Sequence, residues 1–497
     1  MQGKGGNIHG RDEDEPVNLQ GEASFVRLWR KERLNDPHVF NFRKSGFGRQ
    51  VCSLTACPLT SGTHANLTCT SMKKEKFLLF VWLVAGSVLV QAQTFRFDFS
   101  TGKKTEKGFT KVTSESVYSD EKGYGYDLQP AWDGKGNAPF FFSVEVPDGN
   151  YRVTVTLGSR KSAGMTTVRG ESRRLFLENI PTRKGELRTE SFTVNKRNTL
   201  IAGDRRVKIK PRERKKLNWD DKLTLEFNGD APRLHSLVIE RVDDVPTVFL
   251  CGNSTVVDND NEPWASWGQM IPRFFTDKVC IANYAESGLA ANTFIAGFRL
   301  EKLLTQLKAG DYVLVEFGHN DQKQRGPGIG AYYSFSYYIK QFIDEARSRG
   351  AYPVLITPTR RRQFSADGHI LDTHEDYPAA IRDIAAREHL PLIDLQEMTK
   401  VLCETLGEED SRHLYVHYPA NTYPGQTGEL KDNTHFNAFG AYEVAKCVIE
   451  GMKKAGLPLV QYLRSDYKSF DPAHPDSFET FKWSLSPFTE IEKPDGN

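Results

Sequence analysis

Hydrophobic and polar residues alternate along the chain from Thr94 to about Val245. The runs "TFRFDFS" (94–100), "FFFSVEVPDGNYRVTVTLG" (140–158), "RRLFLENI" (173–180), "ESFTV" (190–194), "KLTLEFNG" (222–229) and "LHSLVIERV" (234–242) carry the period of two expected of half-buried strands. Gly, Pro, Asp and Asn separate them, and "PDGN" (147–150) reads as a hairpin turn. No long amphipathic helix interrupts the series. The pattern predicts an all-β sandwich or jelly roll over residues 93–245.

After Pro246 the rhythm changes. Short apolar runs "TVFLC", "VCIANYAE", "DYVLVEFG", "YPVLITP" and "LPLIDL" alternate with helical stretches near 264–275, 296–308, 336–349, 376–389 and 438–454. Strands apolar on both faces, separated by helices, predict βαβ units around a parallel sheet, a three-layer α/β/α domain over 246–465. A tail of residues 466–497 follows. Ligands of such sheets sit at the carboxyl ends of the strands.

The first 92 residues fit neither pattern. Residues 1–71 are polar and without period. "MKKEKFLLFVWLVAGSVLVQAQ" begins at Met72 with three lysines and a 14-residue apolar run, Phe77 to Val90, followed by small residues at Val90 and Ala92. This is the layout of a secretory signal peptide over 72–92, cleaved after Ala92. A membrane span would need a longer run. The expectation is a start at Met72, an upstream extension that is disordered and arises from a mis-assigned start codon, and a secreted or periplasmic mature chain without a stable membrane anchor.

Composition adds little to this picture. Of 497 residues, 38% are apolar and 26% charged, as in ordinary globular proteins, and a net charge of +2 gives no field for nucleic acid. Only Cys251, Cys280, Cys403 and Cys447 of the seven cysteines lie beyond the signal peptide. Their wide spacing is neither a disulfide framework nor a zinc motif, so they read as buried free thiols.

The candidate chemistry gathers at the strand ends. "CGNST" puts Ser254 just after the first strand of the α/β part, "NYAESGLAAN" puts Gly288 after the second, and "VEFGHNDQK" puts His319 and Asn320 after the third. "LKDNTHFNAFGAYEVA" places Asp432 and His435 three apart, on one tight turn before a helix. Ester hydrolysis needs a nucleophile, a base, a group that orients the base, and oxyanion donors. Ser254, His435 and Asp432 supply the first three. The N–H groups of Ser254 and Gly288 and the amide of Asn320 supply the last. No metal or organic cofactor is required. The nucleophile elbow of α/β-hydrolases, G-x-S-x-G, is absent, because its fifth position here is Val256.

In this order, Ser254, Gly288, Asn320 and His435 resemble the four blocks of the SGNH (GDSL-type) hydrolases over residues 247–463. "EFGHND" and "DNTHF" are most similar to the rhamnogalacturonan acetylesterase branch. The resemblance implies a flavodoxin-like sheet and removal of acetyl groups from a pectic polysaccharide. Asn253 departs from the Asp that many members carry at that position. The β region resembles the galactose-binding-like modules fused to secreted carbohydrate enzymes. As a separate module it is expected to be dispensable for chemistry, so that a fragment starting near Asp243 folds alone.

Secondary candidates surround this core. Arg360, Arg361 and Arg362 follow the fourth strand, where their forks suit galacturonate carboxylates, and His319, beside the proposed oxyanion amide, is a further candidate substrate-binding residue. Trp264 and Trp267 share a spacing with Ile271 and Phe274 that places them in the core rather than against sugar. "VDNDNEP" (257–263) lacks the Gly and final Glu of a calcium loop. His369, His374, Glu375 and Asp376 read as polar loop residues. Rival functions are an esterase on acetylated xylan or on lipid or aryl esters, and a non-catalytic carbohydrate-binding protein. A mere binder has no use for a base beside a hydroxyl.

Overall fold

The computed structural model describes residues 94–128, 136–487 and 492–495. Residues 1–93, where an upstream extension and a signal peptide are expected, lie outside the described residues. Nineteen strands follow in chain order among the described residues. The β region holds β1 (Thr94–Asp98), β2 (Thr110–Lys111), β3 (Tyr124–Asp127), β4 (Phe140–Glu145), β5 (Gly149–Gly158), β6 (Gly164–Gly170), β7 (Arg174–Thr182), β8 (Leu187–Lys196), β9 (Leu200–Ala202), β10 (Arg205–Arg206), β11 (Lys222–Ala231) and β12 (Leu234–Arg241). The α/β region holds β13 (Thr247–Cys251), β14 (Cys280–Asn283), β15 (Tyr312–Glu316), β16 (Tyr352–Ile356), β17 (Leu392–Ile393), β18 (Tyr415–Tyr418) and β19 (Leu430–Phe436). Its helices are α1 (Trp267–Met270), α2 (Ala291–Ala296), α3 (Arg299–Leu304), α4 (Ser336–Ser348), α5 (Tyr377–Arg387), α6 (Leu395–Asp410) and α7 (Ala438–Lys454).

The β region is a sandwich. One sheet has the order β3-β4-β11-β6-β7 and the other contains β8-β5-β12-β1-β2. Alternate residues of both sheets, among them Phe142, Val144, Leu225 and Phe227 facing Val153, Val155, Phe192 and Ile239, fill one buried core. This geometry corrects the reading of "PDGN". Strands β4 and β5 pair in different sheets, so residues 147–150 form a corner between sheets and not a hairpin. Both flanking strands point their apolar residues inward, which sets them across the core rather than side by side.

The α/β region forms the parallel order β17-β16-β15-β13-β14, the flavodoxin-like arrangement with its first strand between the second and third. Strand period decides the layers. Val248 and Leu250 face a core shared with α6 and α7, whereas Phe249 and Cys251 face a core shared with α2, α4 and α5. Both faces are covered, as in other parallel sheets. All five strands match the sequence expectation. Helix α6 does not: its apolar positions Leu395, Met398, Leu402, Cys403 and Leu406 have helical spacing, but they follow "LPLIDL" with no turn residue to separate them. Cys251, Cys280, Cys403 and Cys447 are buried free thiols.

The two regions do not part at Pro246. All the described residues fall in one compact unit. Strand β14 pairs in parallel with β8 through Ile281 and Val194, so one ten-stranded sheet runs through both. Buried charges then cross the seam. Arg174 Nε lies 3.0 Å from Asp258 Oδ2, Arg173 NH2 lies 2.9 Å from Glu262 Oε2, and Arg299 NH2 lies 2.5 Å from Glu213 Oε1. Residues 483–486 return to the sandwich. Trp483 stacks 3.8 Å from the Arg169 guanidinium and donates to Glu262, while the Ser486 hydroxyl donates to Glu226 at 3.1 Å. A separable module would not leave half of each ion pair on the far side of its boundary.

Candidate active site

Strand β13 ends at Gly252-Asn253-Ser254, at the carboxyl edge of the sheet. The turn is tight: a Cβ on Gly252 would stand 2.5 Å from Val256 Cγ2. The Asn253 carbonyl accepts the N–H groups of Val256 and Val257, and its side-chain oxygen accepts the Thr255 N–H at 3.1 Å. Those bonds hold the turn without a charged side chain at position 253. The Thr255 hydroxyl donates to Glu316 at 2.6 Å, which ties the turn to β15.

Asp432 and His435 come from β19, not from a plain tight turn before the helix. Tyr415 pairs with Phe436, and the next residue, Val416, pairs with Asp432. Residues 433–435 are therefore extra on one strand, a bulge that folds the imidazole back over its own carboxylate. His435 Nδ1 lies 2.8 Å from Asp432 Oδ2, and His435 Nε2 lies 2.8 Å from Ser254 Oγ. The other Asp432 oxygen accepts the N–H groups of Thr434 at 2.9 Å and His435 at 3.0 Å. Burial alone would raise the Asp432 carboxyl, but His435 and these two amides outweigh it and hold the group well below the usual carboxylate range. An ionised Asp432 accepts the Nδ1 proton, and Nε2 is left to take a proton from Ser254.

The candidate donors follow β13, β14 and β15, which are neighbours in the sheet. Neither the Ser254 nor the Gly288 N–H has a hydrogen-bond partner among the described residues. Gly288 has a φ of +74°, in the left-handed region that glycine occupies without strain. Asn320 Nδ2 gives one N–H to Leu289 O at 3.1 Å and keeps a second. Asp321 fixes this loop by accepting from Gly318 N at 2.9 Å and Ala291 N at 2.8 Å.

The secondary candidates fare differently. Arg360, Arg361 and Arg362 are only 5%, 9% and 6% exposed. Arg360 pairs with Asp372 and Glu397, Arg361 donates to Thr373 O and His319 O, and Arg362 donates to Ser411, Asn433 and Glu408 O. Their forks brace the loops around the site instead of reaching into solvent for a carboxylate. His319 is likewise buried, its ring held between Thr359 at 3.2 Å and His374 at 2.9 Å. His374 is thus a buried member of its loop, packed against His319. Trp264 and Trp267 are buried as expected, and their indole N–H groups reach Asp432 at 3.4 Å and Glu316 at 2.6 Å. In "VDNDNEP", Asp258 is bound to Arg174 and to the Asn283 amide.

Sequence reasoning passed over the basic run "VKIKPRERKK" (207–216), which the fold brings against the Gly288 loop. Lys210 donates to Ser287 O at 2.6 Å, and Arg212 and Lys216 clamp Glu286 at 2.8 and 3.1 Å. Burial would raise the Glu286 carboxyl, but Lys216, Arg299 and Arg212 together push it far down. The only signal in the sequence was a charge run inside a β-rich region. Lys323, 3.4 Å from Asn320 Oδ1, and Lys493, 3.9 Å from Asp432 Oδ2, add further cations at the rim.

Residues 250–441 match the family described as GDSL-like Lipase/Acylhydrolase. The chain is 42% identical over 220 residues to the rhamnogalacturonan acetylesterase RhgT of Bacillus subtilis, covering 44% of this chain and 94% of that protein. It is 33% identical over 217 residues to the probable rhamnogalacturonan acetylesterase YesY of Bacillus subtilis, covering 43% and 95%. It is also 25% identical over 412 residues to the uncharacterized esterase YxiM of the same organism, covering 77% and 97%. A hydroxyl, an imidazole and a carboxylate in line at a flavodoxin-like sheet edge, carried by a sequence this close to RhgT, place the chain in the GDSL-like lipase/acylhydrolase family as a carboxylic ester hydrolase.

Proposed function

We propose that the chain is a secreted acetylesterase that removes acetyl groups from a pectic polysaccharide, with Ser254 as nucleophile. The unbroken line Asp432–His435–Ser254, with both contacts at 2.8 Å, carries this reading. His435 takes the Ser254 proton as Oγ attacks the acetyl carbonyl, then returns it to the departing sugar oxygen. Asp432 fixes the imidazole tautomer and stabilises the imidazolium. The N–H groups of Ser254 and Gly288 and the Asn320 amide meet the oxyanion. A water activated by His435 then releases acetate. The acidic substrate is supported by the name of RhgT and by the cations at the rim. The leader "MKKEKFLLFVWLVAGSVLVQA" supports export.

Acetate release from acetylated rhamnogalacturonan, homogalacturonan, xylan and short lipid esters tests the substrate. The expected order puts the two galacturonate polymers first, and equal or better rates on xylan or lipid esters would overturn it. Asn320→Ala is expected to lower kcat about a hundred- to a thousand-fold, because its amide is aimed at charge present only in the transition state. Its KM should stay close to that of the parent. A change carried by KM alone would remove Asn320 from this role. Mass spectrometry of exported protein should find an N-terminus near Gln93, and peptides from residues 1–71 would count against the proposed processing.

A further inference from the structure

The basic run between β10 and β11 does more than steady the oxyanion loop. Lys210 Nζ lies 2.8 Å from Asp495 Oδ2, and Arg212 NH1 lies 3.5 Å from Asp495 Oδ1. The two oxygens of one carboxylate are thus shared between two cations. The Asp495 residue stands against Gly288: a Cβ built on Gly288 would meet Asp495 Cβ at 2.8 Å and Lys210 Nζ at 3.0 Å. We propose that Lys210 and Arg212 form a seat for a substrate carboxylate at the lip of the oxyanion loop, which Asp495 fills as a stand-in for a uronate. The identity of the ligand rests on the acidic-polysaccharide reading above.

Three observations separate this seat from ordinary bracing. First, it is rigid. Lys210 N donates to Glu213 at 2.8 Å, and Glu213 is itself held by Arg299 and by the Trp219 indole at 3.1 Å. A preorganised pair of donors loses little freedom on binding an anion. Second, it carries surplus charge. Glu286 already has Lys216 at 3.1 Å besides Arg212, so the Lys210 ammonium, bonded to the neutral Ser287 carbonyl, looks to Asp495 for its anion. Third, the occupant is loosely held. The Asp495 side chain is 49% exposed, and exposed ion pairs of this kind are worth little and are screened by salt. A uronate one or two sugar units from the scissile acetyl would displace it by bringing the same carboxylate with further ring contacts. The pairing also assigns the sandwich a part in substrate choice, because both cations belong to that region.

The test is a ratio of specificities. In the full chain, kcat/KM is measured on an acetylated galacturonate oligosaccharide and on a neutral acetylated xylo-oligosaccharide. Lys210→Gln is expected to lower the acidic-to-neutral ratio about tenfold, the usual consequence of losing a hydrogen bond to a charged group. Asp495→Asn is expected to raise the ratio, by vacating the seat. Loss of a merely structural lysine would depress both substrates alike, and an unmoved ratio overturns the proposal. A second measurement separates the seat from the substrate reading. Free digalacturonate is titrated as an inhibitor of p-nitrophenyl acetate hydrolysis, with weaker inhibition expected for Lys210→Gln and stronger for Asp495→Asn. Inhibition through Lys210 without deacetylation of galacturonan would leave the seat standing and sink the substrate. Deacetylation with inhibition indifferent to Lys210 would do the reverse.

Discussion

Ser254→Ala is expected to lower kcat on p-nitrophenyl acetate by a factor on the order of a million, the scale seen when the nucleophile of a serine hydrolase is removed. The oxygen deleted is the one 2.8 Å from His435 Nε2, the hydroxyl placed to form the acyl bond. What survives is catalysis by the oxyanion donors and by binding. His435→Ala should cost nearly as much, and the double variant little more, since the two residues act as a unit. The fold should be spared. The Ser254 carbonyl, which accepts the Ser266 hydroxyl at 2.8 Å, is untouched by the change. At most about 1 kcal/mol is at stake, so the Tm should move by no more than about 4 °C. Near-parental turnover in the folded variant would remove Ser254 as nucleophile.

A fragment of residues 243–497 is expected not to fold, although the change of period at Pro246 reads as a domain boundary. Its removal of the sandwich strips Asp258 of Arg174 and Glu286 of both Arg212 and Lys216, with each carboxylate only 1% exposed in the intact chain. Breaking one buried pair costs about 3–5 kcal/mol, because a charge remains without its partner. Two such losses approach the whole stability of an ordinary domain, about 5–15 kcal/mol. The fragment also uncovers the β14 edge that Val194 pairs with, and frees residues 483–486 from Arg169 and Glu226. Far-UV circular dichroism and size exclusion decide the matter. A soluble, cooperatively unfolding fragment with full activity on p-nitrophenyl acetate would show the two regions to be independent after all.

The legible parts of this molecule are those whose cause is local. Strands β13 to β17 announce themselves because residues buried on both faces leave continuous apolar runs, and Ser254, Gly288 and Asn320 each follow one of them. The triad was readable as residue types in order, but the bulge at 433–435 that closes it was not, because it depends on the register against Tyr415 and Val416. The readings that failed concern long-range partners. Arg360–Arg362 look like free forks until Asp372, Thr373 and Ser411 are found beside them. "PDGN" looks like a hairpin until its strands are seen to join different sheets. The charges of 207–216 look like a solvated loop until Glu286 arrives from the loop after β14, some seventy residues away, a separation no local pattern reveals.

The buried thiols have a use that follows from where they lie. Burial pushes the Cys403 thiol up to about 11 and those of Cys251, Cys280 and Cys447 higher still, so almost no thiolate exists near neutral pH. An alkylating reagent can therefore modify each sulfur only when the packing around it opens. Cys251 faces the layer of α2, α4 and α5, whereas Cys403 and Cys447 face the layer of α6 and α7. The labelling rate of Cys251 and those of Cys403 and Cys447 become separate clocks for the two sides of the sheet, installed without any engineered probe.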